Sequence, residues 1–194
     1  MSLEPLTDYS RFKAECETVL KKYQSTDFTT VTVRPATVCG YAPRQRLDLV
    51  VNILTNLAYH KREITVFGGK QLRPNIHIDD MVDVYLLLLK SPEEKIAGKI
   101  FNAGYENFSV EKLSQDVKSV IGNDVKLTFS KTDDNRSYHI SSEKIKSELG
   151  FTPKRNVKDA VKDLMKAFEE KTLKNTLENE IYFNIKRMKN LNLK

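Results

Sequence analysis

Tyr9 and Lys13 are the first side chains in the sequence whose types and spacing could do chemistry. They lie in a segment whose apolar residues recur at helical spacing, so one helical turn places both on the same side. A lysine ammonium near a phenol favours the phenolate, which would let the tyrosine act as a general base or acid near neutral pH. An exposed lysine–tyrosine pair without function has the same spacing, so the pair alone does not decide between the two interpretations.

The elements that must position this pair alternate between strands and helices. Helical spacing is found over residues 10–23, 47–58, 80–90, 109–121, 142–149 and 156–170. Short β-branched or apolar runs predict strands over residues 29–33, 64–67, 75–78, 99–102 and 125–129. Beyond Lys171 the pattern weakens, and we expect a loose helix or a partly ordered tail. The alternation predicts an α/β protein with a largely parallel sheet.

The glycines do not form a dinucleotide-binding loop. A doubly wound nucleotide fold usually begins with a strand, a glycine-rich turn and a helix that meets the pyrophosphate. This sequence opens on a predicted helix, and its seven glycines (40, 68, 69, 98, 104, 122 and 150) never fall into GxGxxG or GxxGxxG spacing. We therefore expect the first half of such a fold to be absent, and the chain as printed not to bind NAD(P) or turn over a substrate.

Composition excludes several other classes of protein. The 194 residues carry a net charge of +6, but Lys and Arg are mixed with Asp and Glu along the chain. Without a basic block, nucleic acid is not an expected partner. No apolar run approaches the ~20 residues of a membrane helix, so no membrane partner is expected. Cys16 and Cys39 have no metal-type spacing and are interpreted as core thiols, which favours a cytoplasmic protein.

Several short motifs follow one another in a fixed order. They are YSRFKAE at 9–15, RPATVCG at 34–40, RPNIHIDDM at 73–81, FNAG at 101–104 and LGF at 149–151. This ordered set resembles the extended short-chain dehydrogenase/reductases of the NAD-dependent epimerase/dehydratase family, which modify nucleotide sugars. The resemblance covers residues 4 to about 170, nearly the whole chain.

The resemblance implies a division into two parts. The carboxyl-terminal half of a doubly wound, Rossmann-type parallel sheet would be formed by residues 1–36 and 78–103. A small α/β substrate-binding lobe would be formed by residues 37–77 and 104–170, and a tail would follow over residues 171–194. The implied cofactor is NAD or NADP, the implied partner is a nucleotide-diphosphate sugar, and the complete protein is expected to be a homodimer.

The resemblance also implies roles for individual residues. Tyr9 would be the catalytic acid/base, and Lys13 would assist it and hold the nicotinamide ribose, so both would also bind the cofactor. Pro35 would line the nicotinamide pocket, a role compatible with ending a strand. In the first helix, we expect the face formed by Phe12, Cys16, Val19 and Leu20 to pack onto the sheet, leaving Tyr9 and Lys13 toward a cleft.

Substrate contacts are implied at three further positions. Arg73 and Arg136 match family arginines that contact the diphosphate, and the guanidinium fork fits phosphate oxygens. If both grip it, they should converge on one pocket, whereas a surface ion pair is the alternative for each. Thr37 stands where many relatives have Asn, so its contact with phosphate is open. Arg44 and Arg46, on a predicted loop, either touch the substrate or belong to a solvated face.

The histidines do not predict a metal site. His77 alternates with Ile76 and Ile78 in a short predicted strand, which together with the family pattern favours a hydrogen-bonded scaffold role over a catalytic one. His60 and His139 have no carboxylate or cysteine partners at metal-ligand spacing.

Two functions from different classes fit the sequence. The first is an NAD(P)-dependent sugar-nucleotide epimerase, dehydratase or reductase, here in a shortened form that is inactive alone. The alternative is a non-catalytic chain that keeps the substrate-lobe fold and acts by binding or by pairing with another subunit.

Overall fold

A computed structural model describes residues 7–133 and 136–192 of the chain. Residues 1–6 of the predicted sheet segment, residues 134–135 beside Arg136, and residues 193–194 of the tail lie outside the described residues. The helices are α1 (Asp8–Lys21), α2 (Val50–Lys61), α3 (Ile78–Lys90), α4 (Glu93–Ile96), α5 (Val110–Ile121), α6 (Glu143–Leu149), α7 (Val157–Glu169) and α8 (Asn184–Asn190). A 3-10 turn spans Glu180–Tyr182. No described helix is both long and apolar enough to span a membrane.

The strands of the described residues form three small sheets. They are β1 (Val31–Pro35), β2 (Thr37–Cys39), β3 (Glu63–Phe67), β4 (Leu72–His77), β5 (Lys99–Ala103), β6 (Glu106–Ser109) and β7 (Lys126–Ser130). Strand β1 pairs with β5, β2 with β4, and β3 with β7, all in parallel, whereas β4 and β6 are antiparallel. The predicted α/β class with largely parallel pairing is confirmed. Strands β2 and β6 were not predicted, because three or four residues carry too short a pattern.

Two buried clusters support these sheets. One lies between α3, α6 and the β1–β5 sheet, with Phe101, Val84 and Ile145 fully buried. The other joins α2, α5 and α7 to strand β3 through residues such as Val51, Leu113 and Val161. The chain passes from the β1–β5 sheet to the β2–β4–β6 sheet within three residues, because β1 ends at Pro35 and β2 begins at Thr37. This short crossing places the carboxyl end of β1 beside the β2–β4 sheet.

Strand β1 has one paired edge and one open edge. The backbone N–H of Ala36 donates to the carbonyl of Ala103, at 2.7 Å, so the even-numbered residues of β1 point toward β5. The odd-numbered residues Val31 and Val33 therefore direct their N–H and C=O groups away from β5. Within residues 7–133 and 136–192, β5 is the only strand that pairs with β1. Pro35, which lacks an N–H, also points to the open edge, where no ladder bond is lost.

The packing expected for α1 is wrong. None of its residues is buried; Phe12 is 55% exposed, and Val19 and Cys16 are also exposed. Glu17 instead joins the helix to β1, since its carboxylate accepts two bonds from Arg34 at 2.8 and 2.6 Å. The apolar spacing correctly predicted a helix in this segment. It could not show that a cavity, lined by Cys16 and Leu20, separates the apolar face of this helix from β1.

The two cysteines differ, and only one is a core thiol. Cys16 is exposed, contrary to expectation, because it belongs to the uncovered helix α1. Cys39 is buried at the end of β2, and its thiol donates to the carbonyl of Ile76 at 3.4 Å. Burial, together with the nearby carboxylates of Glu106 and Asp80, raises the pKa of Cys39 to about 12. This thiol is therefore unreactive near neutral pH.

The segment after Lys171 is more ordered than its weak pattern predicted. Tyr182 is buried against Leu47, Leu164 and Phe168. A backbone bond of 2.9 Å from the N–H of Leu47 to the carbonyl of Tyr182 fixes the segment to the loop before α2. Because the apolar residues of this segment do not recur at one helical spacing, periodicity could not detect the contact made by the Tyr182 ring.

A buried carboxylate joins α3 to the loop before α7. Asp80 is 1% exposed and accepts bonds from the backbone N–H groups of Lys154 and Arg155, at 3.1 and 2.9 Å. The Arg155 guanidinium donates a third bond, at 2.8 Å. Asp79, the preceding carboxylate, has a side chain that is 56% exposed.

We expect Asp80→Ala to lower the free energy of unfolding by about 3 kcal/mol, since it removes the acceptor of two backbone N–H groups and of one bond from the Arg155 guanidinium. Asp79→Ala is the matched control and should cost less than about 1 kcal/mol, because that carboxylate is solvated. Urea denaturation of both variants measures the difference. Equal losses would show that the burial of Asp80 does not matter.

Candidate active site

A cavity of about 500 Å³ opens where β1 gives way to β2. Its floor is the crossing from Pro35 to Gly40, and its walls come from α1, the loop before α2 and the segment that contains Tyr138. The polar side chains that line it are those of Tyr9, Thr37, Arg44, Gln45, Arg46, Asn52 and Tyr138. Two cations and two phenols thus face one space.

A second cavity, of about 550 Å³, lies on the other side of Tyr9. It runs between α1 and the open edge of β1, and its lining includes Lys13, Glu17, Val33 and Tyr85. Tyr9 and Pro35 line both cavities. The phenol of Tyr9 therefore stands at the junction of the two spaces.

The start of α1 presents Tyr9 and Lys13 to these spaces. Thr7 caps the helix, since its hydroxyl accepts from the N–H of Ser10 and the Ser10 hydroxyl accepts from the N–H of Thr7. Tyr9 follows in the first turn and Lys13 one turn later, so both point toward β1. The Tyr9 side chain is 73% exposed, so its hydroxyl is open to a ligand entering from either cavity.

The structure brings Arg73 and Arg136 together although 63 residues separate them. The Arg73 guanidinium donates to the backbone carbonyl of Arg136 through Nη1, and also to the carbonyl of Leu72 at 2.9 Å. Neither arginine is among the residues lining the 500 Å³ cavity, but Tyr138, two residues after Arg136, is. The pair therefore lies near the cavity and not on its wall.

Thr37 is held by the pairing of β2 with β4. It lies opposite Asn75 in the parallel register, and its side chain lines the cavity. At the other end of β2, Gly40 has a φ of +106°, and a Cβ there would lie 3.2 Å from both the His77 ring and the Ile78 side chain. Only glycine suits that position, so the chain turns away from the sheet at this residue.

His77 has a hydrogen-bonded position consistent with the scaffold role. It is 1% exposed, and its Nδ1 accepts from the backbone N–H of Asp79 at 3.2 Å, which caps α3. Because Nδ1 accepts, Nε2 carries the proton in a neutral ring and donates to Asp163 at 3.1 Å. His77, Asp79 and Asp163 offer ligand atoms within 4.8 Å of one another, but the histidine has no free lone pair for a metal.

Arg44 and Arg46, left open by the sequence, line the cavity. Gln45 and Asn52 were not singled out, although both are buried and bond the backbone of the same loop. Asn52 carried a detectable signal: it is an amide between Val51 and Leu54 on the apolar face of α2. A polar side chain at a buried helical position usually has a specific partner. Tyr138 gave no comparable signal.

Comparison with known proteins identifies the family. The model of the NAD dependent epimerase/dehydratase family matches residues 1–104, more than half of the chain. A UDP-glucose 4-epimerase of Corynebacterium glutamicum is 32% identical over 119 residues, which cover 55% of this chain and 34% of that protein. A dTDP-D-glucose 4,6-dehydratase of Dictyostelium discoideum is 28% identical over 112 residues, which cover 57% of this chain and 25% of that protein.

Solved structures show the same fold. The UDP-glucose 4-epimerase of Thermotoga maritima, solved with UDP-glucose, superposes with a TM-score of 0.75 at 24% identity, covering 88% of this chain and 56% of that one. A dTDP-glucose 4,6-dehydratase of Bacillus anthracis, solved in complex with NAD, has a TM-score of 0.75 at 18% identity and covers 91% and 57%. The chain thus spans about a quarter to a third of these curated relatives and just over half of these solved structures. It belongs to the NAD-dependent epimerase/dehydratase family.

Proposed function

We propose that this chain carries the substrate-binding lobe and the acid/base pair of a nucleotide-sugar epimerase or dehydratase. The observation that carries the proposal is the position of Tyr9 at the junction of two cavities. One cavity has arginines and Thr37 on its wall, and the other has Lys13 and the open edge of β1. An anionic sugar nucleotide suits the first, and the ribose of a dinucleotide suits the second.

The second cavity has the donor set that a nicotinamide ribose would need. Lys13 supplies an ammonium, Tyr9 a hydroxyl, and Pro35 a backbone carbonyl without a competing N–H. Leu20, Val33 and Tyr85 supply apolar surface. When bound, NAD(P)⁺ supplies the hydride acceptor for oxidation of the sugar.

Tyr9 would move the proton in this reaction. Its phenolate oxygen takes the proton of a sugar hydroxyl as the carbon–hydrogen bond of that carbinol breaks, which leaves a keto sugar. Return of the proton from Tyr9 accompanies reduction of the ketone in an epimerase. Lys13 would hold the phenolate form through its positive charge. Thr37, Arg44 and Arg46 on the cavity wall would hold the diphosphate together with Arg73 and Arg136, which lie beside the cavity.

The alternative function is a non-catalytic binding chain. The observation that favours it is the open edge of β1, whose outward N–H and C=O groups can pair with a strand of another subunit. Under this alternative the first cavity still binds a sugar nucleotide. Turnover is then absent from every assembly that contains the chain, and substitution of Tyr9 has no effect.

Arg73→Ala and Arg136→Ala should each weaken binding of UDP-glucose or dTDP-glucose by about 1.5–3 kcal/mol, about 10–150-fold, as for lost hydrogen bonds to a charged group. Isothermal titration calorimetry of the chain measures the affinities. Arg11→Ala is the matched control, because that guanidinium lies on α1 and pairs with Asp8. Equal affinity in all three variants would show that Arg73 and Arg136 are surface charges that do not contact the diphosphate.

The chain as printed should not bind NAD⁺ or NADP⁺ by itself. Binding of the pyrophosphate uses backbone N–H groups at a helix amino terminus after a glycine-rich turn, and the sequence contains no such loop. Calorimetric titration with each dinucleotide is the direct measurement. Stoichiometric binding in the micromolar range would place the cofactor site within these 194 residues.

The test of Tyr9 needs a complete enzyme that contains this chain and binds the dinucleotide. In that enzyme, Tyr9→Phe should lower turnover by about 10²–10⁴-fold, the range expected when a general acid/base is lost. Tyr23→Phe is the matched control, because Tyr23 follows the same helix, is exposed and lines neither cavity. NAD(P)H absorbance and chromatography of the sugar product report the rate. Full activity of the Tyr9 variant would remove the tyrosine from the mechanism.

A further inference from the structure

The loop between β2 and α2 forms one wall of the 500 Å³ cavity without any regular secondary structure. Residues 40–49 run from the turn at Gly40 to Leu49, and Arg44, Gln45 and Arg46 in this stretch face the cavity. A loop of this kind keeps a fixed shape only if its backbone and side chains are bonded from both sides. We call residues 40–49 the cavity loop.

Its inner side is held by two buried amides. Gln45 donates to the carbonyls of Gly40 and Arg46, at 3.2 and 3.0 Å, and accepts from the N–H of Ala42 at 2.9 Å. Asn52 donates to the carbonyl of Arg46 at 2.8 Å and accepts from the N–H of Gly40 at 3.1 Å. These contacts lie within residues 40–52 and within the part of the chain that the family model matches.

Its outer side is held by the carboxyl-terminal segment. The N–H of Leu47 donates to the carbonyl of Tyr182, and Nη1 of Arg44 donates to the carbonyl of Ile181 at 3.0 Å. The backbone N–H of Asn184 donates to the Asp48 carboxylate at 2.9 Å. Each contact therefore joins the cavity loop to residues more than 130 positions further along the chain.

Asp48 connects the carboxyl-terminal segment to Arg46, a cation that lines the cavity. Its two carboxylate oxygens accept from Nε and Nη2 of Arg46, at 2.9 and 3.2 Å. Burial opposes ionisation of Asp48, but the bonds from Arg46 and from the N–H of Asn184 outweigh it and hold the pKa of Asp48 below its usual value. The carboxylate is thus ionised near neutral pH, and it orients Arg46 while it is itself oriented by Asn184.

We propose that residues 181–184 are a positioning element for the sugar-nucleotide cavity, acting through direct bonds to Arg44 and through Asp48 to hold Arg46, both of which line the cavity wall. Tyr182 anchors the element, since its ring is buried against Leu47, Leu164 and Phe168. The inference rests on the proposed function, because it assumes that the cavity takes an anionic sugar nucleotide. It assigns a role to a segment that lies beyond residues 1–104, the part of the chain that the family model matches.

Two substitutions of Asn184 distinguish its backbone bond to Asp48 from its side-chain bond to Arg44. Asn184→Pro deletes the N–H that donates to Asp48, and proline is tolerated there because Asn184 is the first residue of α8 and follows an extended residue, with φ −127° and ψ 99° at Phe183. Asn184→Ala keeps the N–H and loses only the side-chain oxygen, which accepts from Arg44 at 3.4 Å. The pair separates the backbone donor from the side chain.

We expect Asn184→Pro to weaken UDP-glucose binding about 3–10-fold by calorimetry, and Asn184→Ala no more than about twofold, since the deleted bond goes to a charged group. The melting temperatures of the two variants should agree within a few degrees. Equal affinity of Asn184→Pro and the unmodified chain would overturn the inference. Absence of UDP-glucose binding by the unmodified chain would instead overturn the proposed function.

A second pair tests the anchor. Tyr182→Ala should release residues 181–184 and weaken UDP-glucose binding about tenfold or more, whereas Tyr182→Phe keeps the buried ring and loses only the bond from the N–H of Lys174. Recovery of affinity in the phenylalanine variant supports the positioning role. A folded alanine variant, with the near-ultraviolet dichroism of the unmodified chain and undiminished affinity, contradicts it.

Discussion

The buried carboxylate of Asp80 constrains how α3 meets the loop before α7. Removing a carboxylate from water costs several kcal/mol unless its oxygens are bonded, so partners must be brought to it from elsewhere in the chain. They come from Lys154 and Arg155, just before α7. Once that loop is fixed, α7 begins two residues later and carries Asp163 to His77.

The positions of the cavity walls follow from this junction. His77 ends β4, and its Nδ1 caps α3, so the bonds to Asp80 and Asp163 fix the end of the strand as well as the start of the helix. Strand β4 in turn pairs with β2 and sets the register of Thr37 opposite Asn75. The β1–β5 sheet is tied to the same unit because β1 continues into β2 after a single residue. The position of Thr37 on the cavity wall therefore depends on bonds that Asp80 and Asp163 make elsewhere in the chain.

Sequence periodicity predicted most of the elements and little of their arrangement. The strand over 99–102 and the helix over 109–121 were found nearly to the residue, because Gly104, Ser109 and Gly122 mark their ends with defined backbone chemistry. The uncovered face of α1 was missed, since the apolar spacing of Phe12 and Val19 is the same whether or not a sheet lies against it. The order of the tail was missed because it depends on contacts with residues more than 130 positions earlier, such as the bond from Asn184 to Asp48.

The candidate site was predictable where local spacing governs it. Tyr9 and Lys13 fall on one side of a helix by geometry, and both line the cavity between α1 and β1. The proximity of Arg73 to Arg136 followed from the family resemblance and not from spacing, since a contact across 63 residues has no local signature. The contribution of Arg44 and Arg46 to the cavity wall could not be decided, because a loop residue faces solvent or ligand according to what holds the loop.

The two edges of β1 give successive residues of one strand different protection from solvent. Amides of Thr32 and Arg34 lie in the ladder with β5, whereas those of Val31 and Val33 point outward and find no hydrogen-bond acceptor within the described part of the chain. Hydrogen–deuterium exchange along this strand should therefore alternate, slow at the even positions and fast at the odd ones. A strand added to the open edge would slow the exchange of Val31 and Val33 alone, so the isotope pattern of two valines reports whether this sheet is complete.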